Sequence, residues 1–392
     1  MGNAYIVGAV RTPGGRKNGK LSNWHPSDLG ALVLDELVER TGAKGELIDD
    51  VIFGCVSQAG AQSGNVARNA VLGSSLPESV PGTTVDRQCG SSQQAIHFAA
   101  QAVMSETQDI VIAGGVEVMS KVPIGAAIVD SYKAGHGQPF DGKGMTKRYP
   151  GVQFSQFAGA EMMAERWSLS REQLDSFAFA SHQKAINATE EGYFDREIVP
   201  VEGELPSGEK EMVTVDEGIR FDASPESLSG LNILSEDGVL TAGTSSQICD
   251  GAAAIMIVND AGLKKLSIKP RAKIVALALA GDDPVIMLTG PIPASKNVLN
   301  KAKLSIEDID LYEVNEAFAP VPLAWAHELG ADLDKLNVNG GAMALGHPLG
   351  GTGAKLMTTL LHELERREAK YGLQAICEGG GTANAMIIER VN

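Results

Sequence analysis

The sequence predicts a layered α/β fold built on one plan used twice, with a helical and loop-rich segment set between the two uses. Three observations carry that reading. Amphipathic stretches alternate with short runs rich in β-branched residues. The same order of stretches occurs towards both ends of the chain. The 45 glycines cluster at the junctions between stretches and follow no fixed period, as tight turns and close backbone approaches require. At 392 residues there is room for two or three domains.

The elements justify the plan in order. Residues 4–10 form an apolar run that reads as a strand; 29–41 read as a helix leading into a strand-like 48–54. Cys89, followed by Gly90, opens an amphipathic stretch over 93–104, then an apolar strand at 110–113 and the pair Gly114-Gly115. In the second half, a helix-like 295–302 leads into 306–312. His347, in a glycine-rich turn, then opens an amphipathic stretch over 352–366, a strand at 374–377 and the triplet Gly379-Gly380-Gly381. Cys89 and His347 therefore fall at equivalent points of the two halves. Between them the texture changes: 133–153 reads as loop, and 155–191 as helix, with Ser170 and Gln173 placed for a capping box. Residues 200–238 are polar. The expected division is 1–118 with 249–268 as the first half, 119–248 as an insertion, and 269–392 as the second half.

Composition narrows the function. A net charge of −16 argues against general nucleic-acid binding, which needs a broad basic face. Local cations or helix N-termini can still hold phosphates. Four cysteines without a CxxC pair make neither a disulfide framework nor a zinc site, so no metal is expected. No secretory signal and no membrane-length apolar run are visible, which predicts a cytoplasmic protein without a membrane span.

Four segments carry chemistry. In Asp86-Arg87-Gln88-Cys89-Gly90-Ser91-Ser92, a cysteine at a turn that opens a helix meets free N–H groups and the positive end of the helix dipole. Both are expected to favour the thiolate, the nucleophilic form. His347, in Gly346-His347-Pro348, can serve as its base. Cys377 ends an apolar strand before the glycine triplet, whose N–H groups can stabilise an oxyanion. Asn315, in Asn315-Glu316-Ala317-Phe318, stands at a strand end; it can hold a water, orient the histidine, or cap a helix. Cys55 and Cys249 lie in apolar surroundings and read as packing residues.

These four segments, in this order and spacing, resemble the thiolase family over the whole chain. The resemblance implies a duplicated five-layered αβαβα fold with an inserted, CoA-binding loop domain. It implies a homodimer or homotetramer acting on acyl-CoA and CoA, with CoA as substrate and no tightly bound cofactor. Cys89 would accept the acyl group, His347 would activate it, and Cys377 would protonate the departing enolate. Asn315, through a water, and His347 would form one oxyanion hole; the N–H groups of Cys89 and Gly379 would form the other. For CoA the resemblance points to Arg220 and Ser227 at the nucleotide end, and to Ser246 and Phe318 along the pantetheine.

Two departures stand out. The family's Met-Gly-x-Thr-Ala-Glu stretch is Gln156-Phe157-Ala158-Gly159-Ala160-Glu161 here, closer to degradative and steroid-side-chain thiolases than to the short-chain biosynthetic type. Glu378 follows Cys377 where a small or apolar residue is usual; strand alternation is expected to turn it to the opposite face. A decarboxylating ketosynthase would lack Cys377, and a non-catalytic acyl-CoA-binding relative would lack Cys89 or His347.

Overall fold

The computed structural model describes residues 2–205 and 207–391; Met1, Pro206 and Asn392 lie outside. In chain order the strands are β1 Tyr5–Arg11, β2 Gly15–Arg16, β3 Asp50–Gly54, β4 Gly82–Val85, β5 Ile110–Val118 and β6 Val201–Glu204. They continue with β7 Lys210–Val213, β8 Cys249–Val258, β9 Ala272–Gly281, β10 Leu311–Val314, β11 Tyr371–Glu378 and β12 Thr382–Arg390. Strands β5 and β8 are buried at every position, which their mostly small and apolar composition permits; the one carboxylate in each, Glu117 and Asp250, accepts from backbone N–H groups.

The pairing order repeats. In the first half β1 pairs β8 and β8 pairs β5 antiparallel, then β5 pairs β3 and β3 pairs β4 parallel. In the second half β9 pairs β12 and β12 pairs β11 antiparallel, then β11 pairs β10 parallel. A parallel bridge from Tyr312 of β10 to Leu336 stands where β4 stands in the first half. One antiparallel contact, Tyr5 with Lys273 and Ile6 with Ala272, joins the halves.

Side-chain alternation sets the layers. One face of the first half, with Ile52, Val111 and Ile255, shares a core with Ile274, Leu311 and Met386 of the second. The helices Ser91–Met104 and Thr352–Arg366 fill the space between, through residues such as Ile96, Ala99, Met357 and Leu360. The opposite face of the first half packs Phe53 and Met256 on Leu34 of the Pro26–Thr41 helix. That of the second packs Leu373 and Ile387 on Val298 of the Pro291–Ala302 helix. The result is helix, sheet, central helices, sheet, helix. Burying each central leucine or methionine contributes about 1.5–3 kcal/mol, so this layer is a main source of stability.

Between β5 and β8 the chain forms the helices Gln156–Arg166 and Arg171–Glu190, the β6–β7 hairpin and the short Pro225–Ser229 helix. The Ser170–Gln173 capping box forms as expected. Two readings need correction. The 133–153 stretch contains the helix Lys143–Arg148, and polar 200–238 contains a hairpin. Neither Lys143–Arg148 nor the neighbouring Ala126–Lys133 helix buries a residue, so no apolar period reveals them. Ala160, Met163 and Leu174 of this region pack on Phe318, Val321 and Cys377 and so roof the catalytic turns.

Candidate active site

Cys89 stands on the turn from β4 into the Ser91–Met104 helix. Gln88 before it adopts a left-handed φ of 47°, a conformation disfavoured for a side chain of its kind. Hydrogen bonds hold it there. Gln88 N donates to Asp86 Oδ1 at 2.7 Å, and Ser91 Oγ accepts from Arg87 N at 2.9 Å while donating to Gln88 O at 2.6 Å. Gly90 has no alternative: a Cβ there would stand 2.0 Å from Glu378 Oε1. The helix N-terminus does not leave the thiol ionised at rest, as its position suggested. Burial, then the Glu378 carboxylate, push Cys89 up to about 12, and desolvation outweighs the dipole.

His347 follows the short helix Ala342–Leu345 and the left-handed Gly346, whose Cβ would meet Cys249 Sγ at 2.6 Å. The ring is buried; desolvation, then Lys355, lower it to about 3, so the imidazole is neutral. Its tautomer follows from hydrogen-bond arithmetic. Thr352 Oγ1 gives its one hydrogen to Pro348 O at 2.9 Å, so at 2.6 Å it must accept from His347 Nδ1–H. Nε2 is then bare, an acceptor facing Asn315 Nδ2 at 3.5 Å.

Asn315 continues the ladder past β10, its N–H on Ala375 O at 3.1 Å, and is not a helix cap; Ala319 holds that place for the next helix. Its Oδ1 is buried without a partner. Burial, then Cys89 and Glu378, push the Cys377 thiol well above the ordinary range, with the Asn315 side chain opposing them. Cys377 is fully buried among Ala317, Phe318 and Met343. Gly379 lies against the residue before the nucleophile, where a Cβ would stand 3.1 Å from Gln88 Oε1. The five residues singled out for catalysis thus converge. Cys55 and Cys249 are buried, their thiols raised chiefly by desolvation.

His347 borders a cavity of about 760 Å³ that it shares with Ser246, Phe318 and Arg220. A second cavity of about 270 Å³ holds Ser227 and shares Arg220, Asp222, Ala242 and Gln247 with the first, making one cleft. The Thr241–Ser246 turn is pinned to the Asn315 segment by Ser246 N on Ala317 O at 2.9 Å and a bridge from Ser245 to Phe318. Ser227 has less to offer than expected. Its hydroxyl donates to Ser224 O at 2.8 Å within a capping box. Phe157 stacks edge-on against Phe318, ring centres 5.3 Å apart, and with Ile124 and Leu234 gives the cleft an apolar wall.

Sequence reading missed the groups that hold these side chains. Thr352, five residues past His347, looks like an ordinary helix start. Lys355 is buried and donates to Leu345 O under the histidine turn and to Asp216 Oδ1 at 3.2 Å. Asp216 also accepts from Arg11, which reaches Glu197 at 2.6 Å. This network ties β1 and the insertion to the His347 turn. A lysine within the amphipathic 352–366 stretch was its one visible sign.

Known proteins resemble this chain along its whole length. Residues 4–261 match the model for the thiolase N-terminal domain and 268–390 that for the thiolase C-terminal domain. The chain is 50% identical over 392 residues to a steroid 3-ketoacyl-CoA thiolase of Mycobacterium tuberculosis, covering all of this chain and 95% of that one. It is 42% identical to a 3-ketoacyl-CoA thiolase of Aliivibrio fischeri over the full length of both. Among solved structures, the Bacillus anthracis acetyl-CoA acetyltransferase superposes with a TM-score of 0.90 at 38% identity, and human mitochondrial 3-ketoacyl-CoA thiolase with 0.89 at 35%. Each covers 100% of this chain and 99% of its own. Matched along both halves, the chain belongs to the thiolase family.

Proposed function

We propose that this enzyme cleaves 3-oxoacyl-CoA with CoA to give acetyl-CoA and a shortened acyl-CoA, or runs the reverse condensation, through an acyl-Cys89 intermediate. The observation that supports it most is the neutral His347, its Nε2 bare and turned towards Asn315, at the inner end of a cleft running out to Arg220. His347 Nε2 takes the Cys89 proton as sulfur attacks the 3-oxo carbon. The C2–C3 bond breaks, its electron pair passes to the acetyl-CoA enolate, and Cys377 supplies the proton. Asn315, through a water, and His347 hold one oxyanion; the N–H groups of Cys89 and Gly379 hold the other, each donor contributing about 3–4 kcal/mol. Cys377 then takes the proton of the incoming CoA thiol, which displaces Cys89, and His347 returns the proton to Cys89. Resting neutrality of both thiol and imidazole suits a proton moved only during attack.

Arg220 and Ser227 would hold the nucleotide end of CoA, Ser246 and Phe318 the pantetheine. The wall of Phe157, Ile124 and Leu234 supports acyl groups larger than acetoacetyl. With this go the division 1–118 plus 249–268, 119–248 and 269–392, a cytoplasmic setting, and a homodimer or homotetramer, which light scattering would resolve. The central test is acetyl-CoA alone with the enzyme, followed by intact-protein mass spectrometry. One acetyl group on the Cys89 peptide is expected; Cys377→Ala should still reach it, more slowly, because CoA can leave as the thiolate, and Cys89→Ala should lose both adduct and turnover. An acetyl group on Cys377 would reverse the roles.

A further inference from the structure

Beneath the nucleophile lies a carboxyl that the reaction above does not use. Glu378 ends β11, and strand alternation turns it away from the face that buries Cys377. That places it under the neighbouring turn. It is fully buried against Gly90, where an added Cβ would meet Oε1 at 2.0 Å. Oε2 accepts from Thr382 Oγ1 at 2.8 Å, the residue paired with Glu378 across the β11–β12 ladder, while Oε1 has no hydrogen-bond partner. Asn384 Nδ2 donates to Gly90 O at 2.9 Å and clamps the turn over the carboxyl.

A carboxylate with one oxygen unpartnered in a desolvated site is costly, so the protonated form is favoured. Burial carries Glu378 up to about 8, against the Thr382 hydrogen bond and Arg87 and with help from Asp86. The other titratable groups around the nucleophile are Asp86 and Glu117, both raised chiefly by burial, and the neutral Cys377 and His347. From β12 the neutral Thr382 donates to the carboxyl, and the neutral Asn384 donates to Gly90 O beside it.

We propose that Glu378 is a positioning residue that gates the nucleophile electrostatically: neutral, it tolerates a developing Cys89 thiolate; ionised, it opposes one. The proposal rests on the acyl-Cys89 reading and gives that step an alkaline limit set by a group that never touches substrate. Two negative charges cannot share this dry site cheaply, so ionisation of either opposes the other.

Alkylation of Cys89 by iodoacetamide, located by peptide mass spectrometry from pH 6.5 to 9.5, reads the gate without turnover. A free thiol gains about tenfold in rate per pH unit below its own pKa. In the native protein the rise should flatten between pH 7.5 and 9. Glu378→Gln should keep rising, so that its pH 9 to pH 6.5 rate ratio exceeds the native one at least fivefold. Thr382→Val removes a hydrogen bond that favours the carboxylate, and should move the flattening to higher pH. Thr382→Val decides the matter even where Glu378→Gln fails to fold by circular dichroism. Coincident profiles for native and Glu378→Gln proteins, or a flattening that moves down in Thr382→Val, overturn the gate. A native protein that takes no acetyl group on Cys89 sinks the functional reading instead; acetylation with coincident alkylation profiles sinks the gate alone.

Discussion

Thr352→Val separates the role of His347 as a base from its mere presence. Thr352 Oγ1 accepts the Nδ1 proton at 2.6 Å, and valine keeps the shape while deleting the acceptor. The buried Nδ1–H is then left unpaired, which costs about 1–3 kcal/mol. The ring escapes that cost by moving its proton to Nε2, the atom that must be bare to take the Cys89 proton. Either way the penalty falls on acylation, and kcat/KM for thiolysis should drop about 5- to 150-fold, at about 1.4 kcal/mol per tenfold. Rapid-quench acetylation of Cys89 should slow by the same factor, while KM for CoA changes little. Thr352→Ser, which restores the hydroxyl, should return to within about threefold of the native rate. A valine variant within twofold of native, or a serine variant as impaired as valine, would refute the tautomer argument.

Further expectations concern the cleft and the buried histidines. Arg220→Ala should raise KM for CoA esters several-fold and leave N-acetylcysteamine thioesters, which lack the nucleotide end, nearly unaffected; equal loss on both would point to folding damage. Phe157→Ala should reduce kcat/KM more for 3-oxoacyl chains of six or more carbons than for acetoacetyl-CoA, measured as a chain-length series; a native preference confined to acetoacetyl-CoA would remove the basis for it. His97 is buried, its Nε2 has no partner, and desolvation lowers it to about 3. The unfolded histidine binds a proton below about 6.5 and the native one does not, so stability is full above pH 6.5 and is lost as pH falls towards 3. His97→Leu should therefore shrink the stability difference between pH 7.5 and 5.5 by about 1.4 kcal/mol in urea titrations; an unchanged difference would show that His97 does take up a proton.

The repeat, the central helices and the converging residues were legible because each is written locally. The 352–366 amphipathic stretch is the Thr352–Arg366 helix, and the turns bearing Cys89 and His347 carry the glycines their backbones need. What was not legible depends on contacts between distant segments. Lys355, Asp216 and Arg11 come from three separate stretches, and nothing local pairs them. The state of Cys89 was misread for the same reason. A helix N-terminus is a local signal, whereas the burial and the Glu378 carboxylate that override it arrive with the fold. Strand alternation placed Glu378 away from Cys377 but could not say that the nucleophile turn lay beneath that face.

The matching strand orders of the two halves bear on how such a site can arise. Cys89 and His347 open corresponding helices, and those helices lie together in one central layer. A single half associating with its twin would present the same turn twice, cysteine facing cysteine or histidine facing histidine. Carried on one continuous chain, the two turns are free to differ. One becomes the group that takes the acyl chain and the other the group that takes the proton, with no change in the scaffold that brings them together.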